Sequence, residues 1–166
     1  MSGDGKLLAS ATKACLKLWS TESGQEVSTM RGHDYTITSV ALSGDGKLLA
    51  SGWNHTVKLW STEKREEVST LCGHRSIVTS VALSRDGKLL ASASKNETVK
   101  LWLTEIGEQM STPRGHSEEV RSVALSGDGK LLASVSVDGT VKLWSTEHFF
   151  WSRRLTLRGH SNMVNA

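Results

Sequence analysis

Leu131-Leu132-Ala133-Ser134-Val135-Ser136-Val137-Asp138-Gly139-Thr140-Val141-Lys142-Leu143-Trp144 is the stretch whose reading decides the fold. Leu131 to Ser136 is a short, mostly apolar run. Thr140 to Trp144 carries β-branched and aromatic residues at alternate positions. An Asp-Gly pair between two such runs predicts a tight hairpin, because both residues tolerate φ > 0. Related copies run from Leu7 to Trp19, Leu48 to Trp60 and Leu89 to Trp102. Their closing tryptophans are spaced 41, 42 and 42 residues apart. A fixed period of this length marks a repeat architecture.

The remainder of each period is also legible. A Gly-His pair recurs at Gly32-His33, Gly73-His74, Gly115-His116 and Gly159-His160. A third strand follows it, as in Ile37-Thr38-Ser39-Val40-Ala41-Leu42, and then an Asp-Gly-Lys turn at Asp4, Asp45, Asp86 and Asp128. A fourth strand, such as Glu67-Val68-Ser69-Thr70-Leu71, lies between each Trp and the next Gly-His. Every period thus holds four short strands, and none has helical spacing longer than a turn.

Gly-His, Asp-Gly and Val-Lys-Leu-Trp at this period resemble the WD-repeat β-propeller family over nearly the whole chain. The Asp that follows the Trp in that family is replaced by Ser20, Ser61, Leu103 and Ser145. The resemblance implies an all-β fold, a WD-repeat β-propeller with four blades of four antiparallel strands per chain. Residues 1–166 form one propeller unit, with blades at 33–72, 74–114 and 116–158. The first blade, 2–31, has three strands and is expected to be completed by a C-terminal strand from 161–166.

That expectation rests on spacing. Val164 aligns with Ile37, and His33 to Asp45 is 12 residues. From His160 through Ala166 and on from Met1 to Asp4 is 10, one repeat less two residues. An unpaired blade edge is costly, since its backbone groups lack partners. The repeated packing residues are Ala, Ser, Val and Leu, and aromatics make up 5%. Such small residues suit the narrow wedges of a large ring. Two chains joined head to tail as a homodimer would close an eight-blade ring by strand exchange. A four-blade ring, and a fragment of a longer array, are the alternatives.

Composition sets outer bounds. At 18.0 kDa the chain is one domain or part of one. Hydrophobic content is 37%, and there is no run of 18 apolar residues to predict a membrane span. Met1 leads straight into a repeat, leaving no room for a signal peptide. Cys15 aligns with Thr56 and Cys72 with Arg31, which is not how a disulfide framework is built, so a reducing, cytoplasmic setting is expected. Net charge is +3 with no basic run. No regular stacking platform accompanies it, which argues against nucleic acid.

Four of the six histidines are the Gly-His copies. In the resembled family this His joins a hydrogen-bonded set with Ser or Thr, a turn Asp and the Trp. The fourth blade matches as His116, Ser134, Asp138 and Trp144. The second offers His33, Ser51, Asn54 and Trp60, and the third His74, Ser92, Asn96 and Trp102. The first has Ser10 and Trp19, takes His160 only through closure, and carries Lys13 at the Asp position. It is expected to be the least stable blade. A hydrolase triad is the competing reading of Ser, His and Asp. Copies 42 residues apart without an oxyanion motif make the set structural. Catalytic residues, metal ligands and cofactors are not expected.

Differences between copies mark a candidate binding face. The loops between strands two and three and those after Gly-His vary strongly, whereas the opposite turns scarcely do. Tyr35, Trp53, His55, Arg75, Lys95, Glu118 and Glu119 lie in the variable loops, with Tyr35 and Trp53 as anchors. The run His148-Phe149-Phe150-Trp151 sits where the spacing is two residues longer, and with Met163 and Val164 it is a candidate chain-chain contact. Pro113 is expected in an outermost strand. The sequence reads as a non-enzymatic protein-interaction scaffold binding itself and an unidentified protein. The alternative is a recently duplicated or designed self-assembling array with no evolved partner.

Overall fold

Period-two patterning produces fifteen strands in the computed structural model, which describes residues 1–147 and 153–158. β1 (Leu7–Ala11), β2 (Cys15–Ser20) and β3 (Glu26–Arg31) form the first sheet. The second comprises β4 (Ile37–Leu42), β5 (Leu48–Trp53), β6 (Thr56–Ser61) and β7 (Glu66–Cys72). The third comprises β8 (Val78–Leu83), β9 (Leu89–Ser94), β10 (Val99–Leu103) and β11 (Glu108–Ser111). The fourth comprises β12 (Val120–Leu125), β13 (Leu131–Ser136), β14 (Thr140–Ser145) and β15 (Arg153–Arg158). Every sheet is an antiparallel meander in sequence order, and β8 packs between β4 and β12 as the innermost strands.

The core lies between sheets. Trp60 packs with Leu16, Leu18 and Met30 of the first sheet. Trp102 packs with Val57, Leu59 and Leu71 of the second, and Trp144 with Val99 and Leu101 of the third. Each junction therefore joins the Trp face of one sheet to the Val-Leu face of the sheet before it. In all four sheets the register slips one residue before the Trp, a β-bulge. Val27, Val68 and Met110 are the extra residues of three of these bulges, which turns them outward to solvent.

The Asp-Gly-Lys turns share one construction. Ser2, Ser43, Ser84 and Ser126 each donate a hydroxyl to the Asp two residues on, at 2.5–2.6 Å. The same Asp accepts the backbone N–H of the following Lys at 3.0–3.1 Å. The turns also bond to one another from sheet to sheet. Gly3 N–H donates to the Gly44 carbonyl (2.9 Å), Gly44 to Arg85 (2.8 Å) and Arg85 to Gly127 (3.3 Å).

Two expectations are corrected. The strands of the hairpin at Asp138-Gly139 lie where the sequence places them, but the Asp-Gly pair does not have positive φ at both residues. Val137, Asp138 and Gly139 all lie between the strands, and only Gly139 has positive φ, at 74°. Such a three-residue loop leaves the Asp138 carboxylate free to cap Thr140 N–H at 2.9 Å. Pro113 lies beyond β11, which ends at Ser111 and is the shortest outer strand, because Pro cannot donate to the ladder and restricts the residue before it. The proposed C-terminal strand of the first blade, with Met163 and Val164, lies outside the described residues. So do Phe149, Phe150, Trp151 and His160.

Candidate functional site

Hydrogen bonding within each sheet fixes the top of the hairpin. Trp144 Nε1–H donates to Ser134 Oγ (2.9 Å), Ser134 meets His116 Nε2 (2.8 Å), and His116 Nδ1–H reaches Asp138 Oδ2 (2.8 Å). Asp138 also accepts from Thr140 Oγ1 (2.5 Å) and from Ser117 N–H (3.2 Å). Burial alone would raise the Asp138 pKa. The bonds from Thr140, His116 and Ser117 outweigh it and hold the carboxyl well below the ordinary range. Burial lowers the His116 pKa, and Asp138 opposes that shift without cancelling it. Ser134 is wholly buried and has both neighbours satisfied. It offers no exposed nucleophile, so the arrangement is a brace.

The brace weakens towards the N-terminus. In the third sheet Trp102 donates to Ser92 (2.9 Å) and Ser92 meets His74 (2.7 Å). Asn96 and Thr98 approach His74 Nδ1 at only 3.4 and 3.2 Å. In the second, Trp60 donates to Ser51 and Ser51 meets His33, both at 2.8 Å. Asn54 does not join this set, contrary to the sequence expectation, and the buried His33 Nδ1 has no partner. The reason is one residue of length. Trp53 pairs with Thr56, so Asn54-His55 is a two-residue turn with Asn54 at φ 42°. The longer loops of the third and fourth sheets carry a capping residue back over the ring. Burial, with Lys58 adding, pushes the His33 pKa down to about 4; burial likewise takes His74 to about 4. In the first sheet Trp19 donates to Ser10 at 2.8 Å.

The Gly before His33, His74 and His116 is set by the indole beneath it. A Cβ at Gly32, Gly73 or Gly115 would lie 3.0, 3.1 or 3.4 Å from Cη2 of Trp60, Trp102 or Trp144. Gly32 and Gly115 also sit at φ 146° and 151°.

Two of the variable-loop residues, Tyr35 and Trp53, meet at the second sheet. Tyr35 is 69% exposed and stacks on Trp53 with ring centroids 6.1 Å apart, 14° from parallel. With Thr36, Thr38, Asn54 and Ile77 they line a cavity of about 360 Å³. Trp53 Nε1 is buried without a hydrogen-bond partner, and His33 meets the Trp53 ring edge-on at 5.8 Å. His55 is exposed on the neighbouring turn. Lys95 and Arg121 both pair with Glu119 at 3.6 Å, which ties the third sheet to the fourth. Glu118 is exposed beside them, and Arg75 lies on a separate cavity of the third sheet.

The lysine of Val-Lys-Leu-Trp is a feature that sequence reasoning passed over. Lys17 pairs with Glu26 and Lys58 with Glu67. Lys58 and Lys100 also stand over Trp60 and Trp102, 5.8 and 5.9 Å from the ring centroids. A Lys present in all four copies, opposite a residue that changes, was the available signal.

Comparison with known proteins agrees with this geometry. The WD domain, G-beta repeat profile matches residues 24–61, 65–102 and 107–145. The chain belongs to the WD-repeat family. Each matched segment begins at or before the outer strand of one sheet and ends at β6, β10 or β14 of the next, so sequence repeat and sheet are offset by one strand. Among solved structures, the WD-repeat protein described as "Structure of U3-55K" superposes with a TM-score of 0.89 at 26% identity, over 99% of this chain and 52% of that one. The chain thus spans about half the length of that protein. No curated protein matches the sequence. Among the described residues, no group of three His, Cys, Asp or Glu side chains could hold a metal ion, and no helix is long and apolar enough to cross a membrane.

Proposed function

We propose that this WD-repeat chain is a non-enzymatic protein-docking scaffold. The observation that carries the reading is the exposed Tyr35–Trp53 stack over its 360 Å³ cavity, on the face built from the variable loops. Aromatic anchors beside a pocket dominate interface energies. Tyr35→Ala and Trp53→Ala should each abolish retention of proteins captured by the wild type in quantitative mass spectrometry. Equal capture by both variants would overturn the reading. The free Cys15 and Cys72 support a reducing compartment.

A second copy of the chain is the favoured partner at the two ends. Leu8 is 42% exposed, whereas Leu49, Leu90 and Leu132 at the same place in the other sheets are 0% exposed. At the far end Leu155 and Leu157 are exposed and Val141 and Leu143 half-buried, where Val57, Leu59, Val99 and Leu101 are fully buried. These are the two halves of the junction seen three times inside the chain. The turn-to-turn ladder points the same way. Among the described residues, Gly127 N–H meets no carbonyl, and Gly3 C=O is the acceptor left over at the other end. A head-to-tail pair joins them twice and closes an eight-blade ring. This assembly needs no evolved partner, which also fits a recently duplicated or constructed array. Light scattering at about 36 kDa in Leu8→Glu would contradict it, since a charge there removes the joint.

A further inference from the structure

The outer end of the third sheet holds a cavity of about 510 Å³ whose lining includes Arg75, Glu97, Thr98, Lys100, Thr112 and Arg114. Three of these are permanent or near-permanent cations, and one, Glu97, is a carboxylate. Arg75 and Arg114 come from the linkers on either side of the sheet, and Lys100 forms the floor at 8% exposure. Its ammonium is held by Gln109 Oε1 and by Thr112 Oγ1 at 3.3 Å.

Comparison with the sibling sheets shows what is unusual. The residue paired across from the Trp is Glu26 in the first sheet and Glu67 in the second, and each neutralises its lysine. In the fourth sheet it is Arg153, and in the third it is Gln109. The lysine keeps its place and a hydrogen bond but loses its counter-charge, while two arginines stand at the rim. Among the described residues neither arginine makes an ion pair. Burial lowers the Lys100 pKa, and Arg75 and Arg114 lower it further, so the three charges repel one another. A buried cation without a carboxylate is expensive unless something supplies the negative charge.

We propose that Arg75, Lys100 and Arg114 bind a phosphate monoester carried on a side chain of a partner peptide. The assignment rests on the protein-docking reading above. A phosphorylated side chain brings close to two negative charges and three acceptor oxygens, which matches two guanidinium forks and one fixed ammonium. Thr98 and Thr112 hydroxyls and the backbone of Gly73 and Gly115 complete a polar lining in which an apolar side chain gains nothing. The volume admits a phosphorylated residue together with its neighbours, and Arg75 and Asn96 lie in the loops of the third sheet that correspond to those carrying Tyr35 and Trp53 in the second.

The test is a titration of the full-length, isotopically labelled chain by nuclear magnetic resonance at constant ionic strength. The probes are sodium phosphate, the peptide Ala-Ala-phosphoSer-Ala-Ala and its unphosphorylated form. Phosphate should shift the amides of Arg75, Asn96 and Gly115 saturably. The phosphopeptide should bind at least as tightly as phosphate and at least about tenfold more tightly than the plain peptide. Gln109→Glu, which restores the sibling carboxylate, should weaken both by at least about tenfold without lowering the melting temperature, and the double variant Arg75→Ala, Arg114→Ala should do the same. No saturation, equal binding by Gln109→Glu, exclusion of the phosphopeptide, or its displacement by a lower concentration of an oligothymidylate would each overturn the proposal. The Tyr35 and Trp53 capture experiment is independent of all four results, so loss of the anion site leaves the docking reading standing.

Discussion

Leu8 and Leu49 begin in the same local sequence, Gly-Asp-Gly-Lys-Leu-Leu-Ala-Ser, and end in different environments. Both pair with the Trp of their own sheet, Leu8 with Trp19 and Leu49 with Trp60. Leu49 is completely buried because the first sheet lies against it, and Leu8 is 42% exposed because its side of the first sheet is uncovered. Burial in a repeat protein is therefore a property of the neighbour, not of the copy. Stability divides accordingly into what each sheet holds alone and what each junction adds.

The largest expected effect separates those two terms. Leu49→Ala should cost about 2–5 kcal/mol in urea unfolding, since it opens a cavity at a closed junction. Leu8→Ala should cost less than about 1 kcal/mol in a dilute, dissociated chain, and should act instead by weakening association. Equal losses at both positions and all concentrations would break the comparison.

Acid should come next. His33 and His74 titrate near 4 when folded and near 6.5 when unfolded. Between those values the unfolded chain binds more protons, so stability is full above about pH 6.5 and falls as pH drops towards 4. The loss is at most about 3 kcal/mol for each histidine. Urea midpoints at pH 7.5, 5.5 and 4 would show it, and a flat profile would mean that these rings are not held neutral by burial.

The braces give a smaller contrast. Ser134→Ala strips the partner from both the Trp144 indole and His116 and should cost about 1–3 kcal/mol. Asn54→Asp should change stability by less than about 0.5 kcal/mol, because residue 54 does not reach His33. A large gain from Asn54→Asp would show that the short turn can be remade into a brace. Glu97 occupies at φ 66° the place that Gly139 occupies at 74°, and Glu97→Gly should stabilise by about 0.5–1 kcal/mol in thermal unfolding.

Much of this was legible from residues 131–144. The period, the four strands and the Ser, His and Trp of each brace follow from the residue types and their spacing. The Asn54 reading failed because the alignment matched residue types and overlooked that Ser51 to Trp60 is one residue shorter than Ser134 to Trp144. That single deletion changes the turn class and withdraws the cap. The anchors Tyr35 and Trp53 stood out as aromatics among variable loops, but their stacking and cavity depend on the same short turn. The pocket above Lys100 was illegible because its meaning lies in a pair separated by nine residues, which became visible only when the register placed Gln109 across from Trp102. Val68 and Met110 are apolar and yet lie outside the core, since a bulge rotates them outward.

The measurement that bears most directly on the account is mass in solution, by light scattering on a sizing column. Two chains of 18.0 kDa joined at Leu8 and at Val141 and Leu143 predict a species near twice that mass, which Leu8→Glu returns to one chain. A wild-type mass of 18.0 kDa at every concentration would contradict the claim that the open faces are halves of a fourth junction.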